Sequence, residues 1–544
     1  MTQLSDAPVI STSSAGSPVN PVTPAGTRTT VDPRLVATLA SRVAVKGQGG
    51  ETVTITSPLT GAVVGTLPIC TADDIAGVFA RAREAQVGWA ALSFKQRAAV
   101  LLRFHDLLLR RQSEGLDLIQ LESGKVRKHA FEEILDAAIV ARYYARAAKS
   151  HLKSHRRLGA LPGLTSATEL HHPRGVVAVI APWNYPLSMA ITDALAALMA
   201  GNAVVIKPDS STPFTALWSA QLLAEAGMPD GVVQIVNGPG RALGTPMIEQ
   251  ADYICFTGST KTGRTIAKQA GENLIGCSLE LGGKNPMLVL PDADLDKTVD
   301  GALRACFSSA GQLCISIERL YVADAIWDAF VPRFVERVRQ LKLSTALDYS
   351  GEMGSLVSRQ QFDTVVDHVE QAKAAGATVL AGGRARPDLG PYFYEPTVLT
   401  DVTPDMTLCT QETFGPVVSL YRFTDVEEAV ALANASEYGL NCSIWSRDVR
   451  AARAIGARIK TGTVNINEAY AAAWASVDAP MGGMKASGLA RRHGREGIVK
   501  YTEAQTIAAQ RFLPIDTPPG MRVETYTKVM GGALSLLRRI PGAR

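Results

Sequence analysis

The 544-residue sequence has little net charge and few cysteines. Its 55 lysines and arginines nearly balance its 51 aspartates and glutamates, whereas a nucleic-acid-binding protein usually carries a strongly basic domain. The seven cysteines are an odd number scattered along the chain, which does not indicate a disulfide framework. Apolar residues make up 46% of the chain, too many for intrinsic disorder. The composition therefore excludes a nucleic-acid partner and leaves open whether one cysteine is reactive.

Targeting and membrane signals are also scarce. No stretch of about 18 uncharged apolar residues occurs, and the closest approach, Pro186 to Ile206, is interrupted by Asp193, Gly201 and Asn202. The first 30 residues are rich in serine, threonine, proline and alanine, without a basic region followed by an apolar block, so they do not read as a signal peptide. We therefore expect a disordered leader over residues 1–34 and a soluble, cytoplasmic protein with no integral membrane span.

The C-terminal segment 513–544 contains one amphipathic stretch. Tyr526 to Ile540 is mostly apolar and ends with Arg538 and Arg539. A helix lying on a membrane surface is one interpretation. A tail packed on the body of the protein or on a partner subunit is the other, and the sequence leaves both open.

Short apolar runs alternate with helical patterns along the middle of the chain, which is typical of parallel α/β sheets covered on both faces. Before them, Phe131, Ile134, Leu135, Ala138, Ile139 and Tyr143 have the spacing of one helix face within Ala130–Arg146. Two series of strands, and therefore two α/β domains, are predicted. The predicted strands are 176–181, 203–206, 232–236 and 253–256 in the first series, and 287–290, 320–322, 417–420 and 464–466 in the second.

A glycine-containing segment, Thr257–Gly263, follows the predicted strand 253–256. Its G-x-x-x-x-G spacing is neither the usual dinucleotide motif nor a P-loop. Glycines and a helix N-terminus near Thr262 suit a phosphate, although a Gly-Ser-Thr sequence is often only a helix cap. Lys207-Pro208-Asp209-Ser210 also stands at a predicted strand end, where ligands bind in such sheets.

Three residues are candidates for covalent chemistry. Cys314 follows a helical segment that ends near Phe307, and a thiol near positive backbone ends can become a nucleophile. Glu280 precedes two glycines and is suited to a general base. Asn184 carries an amide donor suited to an oxyanion. Taken singly, these residues are weak signals, because a typical cysteine is buried and inert and a typical glutamate near two glycines belongs to a turn or an ion pair.

Taken together, the motifs resemble the aldehyde dehydrogenase superfamily over roughly residues 50–510. The stretches 305–321 and 479–492 are similar, within that superfamily, to the divergent second form of the actinobacterial NADP-type succinate-semialdehyde dehydrogenases. The motifs that carry the resemblance are Pro182–Pro186, Lys207-Pro208, Phe256–Ser259, Glu280–Lys284, Gly311–Cys314, Glu412–Pro416 and Ser487-Gly488.

The resemblance implies oxidation of an aldehyde to its acid through a cysteine thioester. Cys314 would attack the aldehyde, Asn184 and the Cys314 backbone N–H would hold the oxyanion, and Glu280 would activate water. A CoA-acylating enzyme and a non-catalytic relative are the alternatives. The residues that it implies for cofactor binding are Trp183, Lys207, Ser210, Gly258, Ser259, Gly263, Leu281, Glu412 and Phe414. For Phe414 the alternative is core packing, and for Glu412 a surface turn.

Ser210 bears on the choice between the two nicotinamide cofactors. NAD-preferring relatives carry a glutamate there, which would repel the 2′-phosphate of NADP. Serine removes that repulsion and Lys207 adds attraction, whereas Asp209 next door opposes it. We therefore predict NADP, with NAD possible.

The expected substrate is succinate semialdehyde, yet the resemblance is imperfect at this point. Relatives bind the distal carboxylate with two arginines, and at those two positions this sequence has Thr192 and Ser308. Either another arginine serves, or the aldehyde is a less polar aliphatic or aromatic one. The residues that could wall an apolar site are Tyr185, Met189, Phe307, Tyr470 and Trp474, for which ordinary core packing is the alternative.

The implied architecture has a cofactor-binding domain over 35–150 and 173–282 and a catalytic domain over 283–496. An oligomerisation element would combine 151–172 with 497–512, giving a homodimer or homotetramer. Asp292, Asp294 and Asp296 resemble the start of a calcium loop but lack its later ligands, so they are predicted to cap a helix rather than bind a metal.

Overall fold

The computed structural model describes residues 31–45, 50–160, 165–510 and 515–540. Most of the predicted disordered leader, residues 1–30, lies outside these ranges. The remaining part is partly helical, because the first helix begins at Pro33, inside the predicted leader. Asp32 caps this helix by accepting a hydrogen bond from the Arg34 N–H, and proline is favoured at the first helical position.

The helices and strands follow one another in an order that alternates β and α through most of the chain. The helices are α1 (Pro33–Ala40), α2 (Ala72–Ala91), α3 (Phe94–Arg110), α4 (Gln112–Ser123), α5 (Arg127–Leu152), α6 (Pro186–Met199), α7 (Pro213–Glu225), α8 (Gly240–Gln250), α9 (Thr260–Glu272), α10 (Leu295–Phe307), α11 (Asp324–Arg339), α12 (Arg359–Ala374), α13 (Thr407–Thr410), α14 (Val426–Asn434), α15 (Val449–Gly456), α16 (Ala471–Ala475), α17 (Glu496–Val499) and α18 (Val523–Leu537). The strands are β1 (Thr52–Thr56), β2 (Val63–Pro68), β3 (His155–Arg157), β4 (Thr165–Pro173), β5 (Val176–Ile180), β6 (Ala203–Lys207), β7 (Val233–Ile235), β8 (Tyr253–Thr257), β9 (Gly276–Glu280), β10 (Asn285–Val289), β11 (Ile317–Ala323), β12 (Thr378–Ala381), β13 (Thr397–Thr400), β14 (Val417–Phe423), β15 (Tyr438–Gly439), β16 (Asn441–Trp445), β17 (Thr463–Ile466), β18 (Met484–Lys485), β19 (Gly488–Leu489) and β20 (Thr502–Gln510).

The first large sheet has the strand order β19-β9-β8-β5-β6-β7. Strands β9, β8, β5, β6 and β7 are parallel, and β19 joins antiparallel to β9. The β5 and β6 strands are buried almost throughout, which explains their uninterrupted apolar sequences. Although β19 lies within the predicted catalytic segment 283–496, it completes the sheet of the predicted cofactor segment.

The second large sheet has the order β12-β13-β14-β11-β10-β16-β17 and is parallel except for β12. Its central strands β10, β11 and β16 are fully buried. The two sheets, each with helices between successive strands, confirm the predicted α/β class. Asp294 is the N-cap of α10, as predicted for the aspartates near 292–296.

A smaller antiparallel sheet has the order β20-β4-β3 and is formed by segments from both predicted oligomerisation ranges. Strand β20 is exposed along nearly its whole length, and the Ile507 side chain is 53% exposed. Helix α18 is amphipathic but buries none of its residues. Among the described residues, no helix is both long and apolar enough to cross a membrane.

Helix α5 is longer than predicted and buries only part of the predicted face. Ile134 and Ala138 are buried as that face implies, whereas Phe131 and Leu135 are 36% and 38% exposed. The helix also packs through Ala130, Ala137 and Ala141, which lets α3 and α6 approach closely. The buried face of α5 also includes charged residues, which an apolar periodicity cannot reveal.

A buried ion pair joins α5 to the start of α6. Lys125 Nζ contacts Glu133 Oε1 at 2.6 Å, and both side chains are almost inaccessible to solvent. The other oxygen of Glu133 accepts hydrogen bonds from the N–H groups of Leu187 and Ser188, in the first turn of α6. Lys125 also donates to the carbonyl oxygen of Asn184 at 2.6 Å. Burial raises the pKa of Glu133, and the charge of Lys125 opposes that rise.

We expect Lys125→Met to lower the free energy of unfolding by about 3–5 kcal/mol, because it leaves the Glu133 carboxylate buried without its countercharge. Urea unfolding followed by circular dichroism measures this change. Lys153→Met is the control, because it removes an exposed lysine just after the end of α5. Its free energy of unfolding should stay within about 0.5 kcal/mol of that of the parent. A loss no larger than that of the control would contradict the role given to the pair.

Candidate active site

A cavity of about 310 Å³ lies between the two large sheets. Its walls come from the loops that follow β5, β8 and β9 in the first sheet and precede β11, β14 and β16 in the second. Ligands of α/β sheets bind at such strand ends. Nine of the twelve residues predicted for catalysis or cofactor binding line this cavity: Trp183, Asn184, Gly258, Ser259, Glu280, Leu281, Cys314, Glu412 and Phe414. Lys207, Ser210 and Gly263 do not line it.

A left-handed turn presents Cys314 to the cavity. Helix α10 ends at Phe307, and the following turn has positive φ at Ser309, Ala310 and Gly311. A Cβ atom on Gly311 would lie 2.0 Å from the carbonyl oxygen of Gly415, so only glycine fits this position. A strained backbone of this kind persists only where its surroundings hold it.

Two amide side chains hold the turn. Gln312 donates to the carbonyls of Ser309 and Ser355 and accepts from the Val357 N–H. Asn285, the first residue of β10, donates to the carbonyl oxygen of Cys314 at 2.7 Å. Because Asn285 is itself anchored in the second sheet, the position of the thiol depends on the sheet and not on the loop alone.

The thiol of Cys314 is partly shielded from water. Burial raises its pKa to about 12, and the nearby carboxylates of Glu280 and Glu412 add to the rise. The thiol is therefore protonated at neutral pH in the protein alone. A nucleophilic role requires a group that accepts its proton.

Glu280 is the last residue of β9 and lines the same cavity. Burial raises its pKa to about 7, while the positive charges of Arg492 and Lys500 oppose the rise. A carboxylate with a pKa near neutrality can accept and return a proton at physiological pH. Glu280 therefore has the properties of a general base.

Asn184 follows β5 and reaches across to the cysteine loop. Its Nδ2 donates to the carbonyl oxygen of Gln312 at 3.0 Å. The amide has two N–H bonds, so a second donor remains for an atom in the cavity. The backbone of Asn184 is fixed by Lys125, and its side-chain amide, which is predicted to hold an oxyanion, is therefore preorganised.

The loop before β14 is held by a second buried glutamate. Glu318 pairs with Lys284 at 2.5 Å and accepts from the N–H groups of Thr413 and Phe414. Phe414 has a φ of 54°, an uncommon value for a bulky residue, and these hydrogen bonds stabilise it. The aromatic ring is thereby oriented into the cavity.

Glu412 lies beside Phe414 and is half-buried, with its carboxylate turned toward the cavity and not toward the surface. Burial raises its pKa to about 8, and the charge of Glu318 adds to the rise. Its carboxylate accepts from the Gly283 N–H at 2.7 Å. On the opposite wall, the Trp183 ring meets the Phe414 ring edge to face at 5.4 Å.

The glycine segment after β8 has two distinct functions. Ser259 is the N-cap of α9 and accepts a hydrogen bond from the Thr262 N–H, so the helix begins at Thr260 rather than at Thr262. Gly258 and Ser259 face the cavity. Gly263 is instead buried under Leu281, where a Cβ atom would lie 2.5 Å from Leu281 Cδ2. The second glycine of the motif therefore permits close packing of the helix on Leu281.

Lys207 and Ser210 lie at the carboxyl end of β6, outside the cavity lining. Lys207 Nζ donates to the Pro208 carbonyl, and burial lowers its pKa. Ser210 Oγ donates to the Gly238 carbonyl at 3.1 Å. The Asp209 carboxylate accepts from the Ser211 N–H, which occupies one of its oxygens in the local turn.

Thr192 and Ser308, which stand where relatives carry carboxylate-binding arginines, each contact another polar side chain. Thr192 Oγ1 lies 3.2 Å from Arg492 Nη2, and Ser308 Oγ lies 2.9 Å from the Tyr470 hydroxyl. Of the proposed apolar wall, Tyr185, Met189, Tyr470 and Trp474 line the cavity. Phe307 does not, and stacks on Phe334 in the core.

A buried charge cluster next to the cavity is not predicted by the sequence. Asp193 accepts from Arg492 at 2.5 Å, from Lys500 at 3.1 Å and from the Tyr501 hydroxyl at 2.8 Å. Burial alone would raise the pKa of Asp193, but the two cations hold it well below its usual range. The sequence shows only an Arg-Arg pair at 491–492, with no pattern to distinguish which guanidinium is buried.

Known proteins with similar sequences identify the family of this chain. Residues 44–507 match the aldehyde dehydrogenase family. A Mycolicibacterium smegmatis protein named "Putative succinate-semialdehyde dehydrogenase", NADP(+) type, is 50% identical over 93% of this chain and 98% of its own length. The Escherichia coli succinate-semialdehyde dehydrogenase GabD, also NADP(+) type, is 36% identical over 84% of this chain and 93% of its own.

Solved structures give the same result. The crystal structure of an E. coli NADP-dependent enzyme superposes with a TM-score of 0.83, at 34% identity, over 87% of this chain and 99% of that one. A Staphylococcus aureus betaine aldehyde dehydrogenase in complex with NAD+ also gives 0.83, at 32% identity, over 88% and 98%. This chain therefore belongs to the aldehyde dehydrogenase family.

Proposed function

We propose that this protein oxidises succinate semialdehyde to succinate with NADP, through a thioester on Cys314. The observation that carries the proposal is that Cys314, Glu280 and Asn184 line one cavity together with six residues predicted for cofactor binding. The names of its relatives support the substrate and the cofactor. A cytoplasmic location belongs to the same proposal.

The first chemical step forms a bond between the Cys314 sulfur and the aldehyde carbon. The thiol proton passes to a base, for which Glu280 is suited by its pKa of about 7. The aldehyde oxygen becomes an oxyanion, which accepts hydrogen bonds from the Asn184 side chain and the Cys314 backbone N–H. One such donor contributes about 10²–10³-fold in rate.

The residues present fit a nicotinamide dinucleotide. The N-terminus of α9, capped by Ser259, offers N–H groups and a positive dipole end to a diphosphate. Lys207 and Ser210 would hold the adenosine ribose and its 2′-phosphate, Glu412 the other ribose, and Phe414 the nicotinamide. When bound, the oxidised nicotinamide would accept the hydride of the former aldehyde carbon, and loss of that hydride would turn the Cys314 adduct into the thioester.

The second step releases the acid. Glu280 first releases the thiol proton to solvent and then takes a proton from water, while the water oxygen bonds to the thioester carbonyl carbon. The carbon–sulfur bond breaks, the sulfur of Cys314 leaves as a thiolate, and Glu280 returns the second proton to it. Glu280 is thus placed to serve hydrolysis, which favours a non-acylating enzyme over transfer to CoA.

Oxidation of less polar aldehydes is the second candidate function. Tyr185, Tyr470, Trp474 and Met189 give the cavity an apolar wall, and the two arginines expected from relatives are absent. Comparing kcat/KM for succinate semialdehyde, hexanal and benzaldehyde decides between the candidates. A higher value for hexanal or benzaldehyde would overturn the proposed substrate.

We propose further that the chain assembles as a homodimer or homotetramer through the β20-β4-β3 sheet. The exposure of β20, including the Ile507 side chain, supports this assignment.

Cys314→Ala should abolish the formation of NADPH from succinate semialdehyde, because no other cysteine is among the described residues that line the cavity. The rate is followed by NADPH absorbance. Cys277→Ala removes a half-buried cysteine that lies on β9 and does not line the cavity, and it should keep the parental rate within about twofold. Undiminished turnover of Cys314→Ala would refute the mechanism.

Turnover should depend on pH through Glu280. Its carboxylate must be deprotonated to act as a base, so kcat should rise with pH through about 7 and fall about tenfold per unit below it. Glu280→Gln should lower kcat by about 10²–10⁴-fold and remove this inflection. An unchanged inflection in Glu280→Gln would assign the titration to another group.

Ser210→Glu should shift the preference from NADP toward NAD. The new carboxylate would repel the 2′-phosphate and accept from a ribose hydroxyl, so the ratio of kcat/KM for NADP to that for NAD should fall at least about tenfold. Ser211→Glu adds the same charge one residue later as a control. Equal effects of the two substitutions would contradict a specific role for position 210.

A further inference from the structure

The cavity offers a substrate carboxylate one positive partner. Among the described residues that line it, Arg492 is the only lysine or arginine, whereas Glu132, Asp136, Glu280 and Glu412 are acidic. His493 is the one histidine among the described residues that line the cavity. Burial and the charge of Arg492 lower its pKa to about 3, so it is neutral. A carboxylate bound in this cavity is therefore attracted to Arg492 and repelled from most of the other polar walls.

Arg492 also reaches Thr192, the position on α6 at which relatives carry a carboxylate-binding arginine. It lies after β19, far along the chain from α6, yet its Nη2 contacts Thr192 Oγ1 at 3.2 Å. Threonine is several bonds shorter than arginine and leaves space at this point of α6. The guanidinium of Arg492 therefore extends from the segment after β19 to the site on α6 where relatives carry a carboxylate-binding side chain.

The place of the second absent arginine is closed to a carboxylate. Ser308 lies beside Tyr470, and the hydroxyls of Tyr470 and Tyr185 point at the carboxylate of Glu132. Arg304 pairs with the same carboxylate at 3.4 Å. A negatively charged substrate group would meet Glu132 there, so it must turn toward Arg492.

One edge of the Arg492 guanidinium is available to a ligand. Nη2 is engaged by Asp193 and Thr192, whereas the acceptor that Nη1 contacts is the Met189 thioether at 3.0 Å. Sulfur of this kind is a weak acceptor, and Met189 itself lines the cavity. A carboxylate oxygen would replace it with a much stronger charge-assisted hydrogen bond.

The charge of Arg492 is only partly neutralised. Asp193 is shared between Arg492 and Lys500, at 2.5 and 3.1 Å, so one carboxylate serves two cations. The Glu280 and Asp136 carboxyl groups also act on Arg492, but burial raises their pKa values to about 7 and about 6, which weakens their negative charge near neutral pH. The ion pair with Asp193 then serves to orient the guanidinium.

We propose that Arg492 is the specificity-determining residue that binds the distal carboxylate of the semialdehyde. This inference rests on the proposed function. The carboxylate displaces the Met189 thioether from Nη1, and the aldehyde end of the four-carbon chain points to Cys314. In this chain the substrate carboxylate is thus bound by the segment after β19, whereas relatives bind it from α6 and from the turn before the cysteine.

The test compares succinate semialdehyde with butanal, which has the same four carbons but no carboxylate. We expect Arg492→Met to lower kcat/KM for succinate semialdehyde about ten- to 150-fold, mainly through KM, and to change that for butanal less than about threefold. Arg492→Lys keeps the charge but not the planar fork, so its loss should be smaller.

Arg491→Met is the matched control. It removes the same charge from the preceding residue, whose guanidinium donates to the backbone oxygens of Gly483 and Ala490. The ratio of kcat/KM for the two substrates should stay as in the parent. Succinate should inhibit butanal oxidation in the parent and inhibit it at least about tenfold more weakly in Arg492→Lys, a variant that retains a partner for Asp193.

The outcomes separate this inference from the proposed function. If the parent enzyme does not prefer succinate semialdehyde to butanal, the proposed function fails and this inference with it. If the parent shows that preference but Arg492→Met keeps it, only the role of Arg492 is overturned. An equal loss on both substrates, with a shifted pH inflection, would make Arg492 a residue that acts through Glu280, and would also overturn the inference.

Discussion

The buried ion pair between Lys125 and Glu133 is the interaction on which the geometry of the cavity depends. Loops at strand ends have N–H and C=O groups without regular partners, and leaving them unpaired in a buried site is costly. Glu133 accepts two such N–H groups at the start of α6, and Lys125 fixes the carbonyl of Asn184. Without the pair, neither the oxyanion donor nor the first turn of α6 would have a fixed position.

The opposite wall repeats the same arrangement. Glu318 takes the N–H groups of Thr413 and Phe414, and Lys284 provides its countercharge. In both cases one buried carboxylate accepts hydrogen bonds from a loop backbone. One buried lysine offsets the cost of burying that negative charge in a low-dielectric interior. The catalytic groups are thereby supported by charges that take no part in the reaction. The same interior raises the pKa values of Glu280 and Glu412 to about 7 and 8.

Local sequence signals predicted much of the fold and the site. The buried strands β5 and β6 were recognisable because both of their faces are apolar, and the start of α9 was recognisable from its Ser-Thr cap. Strand β9 was not predicted because its sequence, Gly-Cys-Ser-Leu-Glu, is not continuously apolar and its start is half-buried. The buried face of α5 was predicted only in part because Glu133 belongs to it, and an apolar pattern cannot register a buried charge. Arg492 was missed because its partner, Asp193, is 299 residues away along the chain.

Strand β19 and Arg492 follow almost the whole of the second sheet in the chain, yet they complete the wall formed by the first. Synthesis from the N-terminus therefore delivers the first sheet with one edge unpaired and the substrate side open until residues 488–492 have left the ribosome. The cavity cannot close one half at a time. Its assembly is a late event that requires both sheets, so Cys314 gains its complete set of cavity neighbours only when the chain is nearly finished.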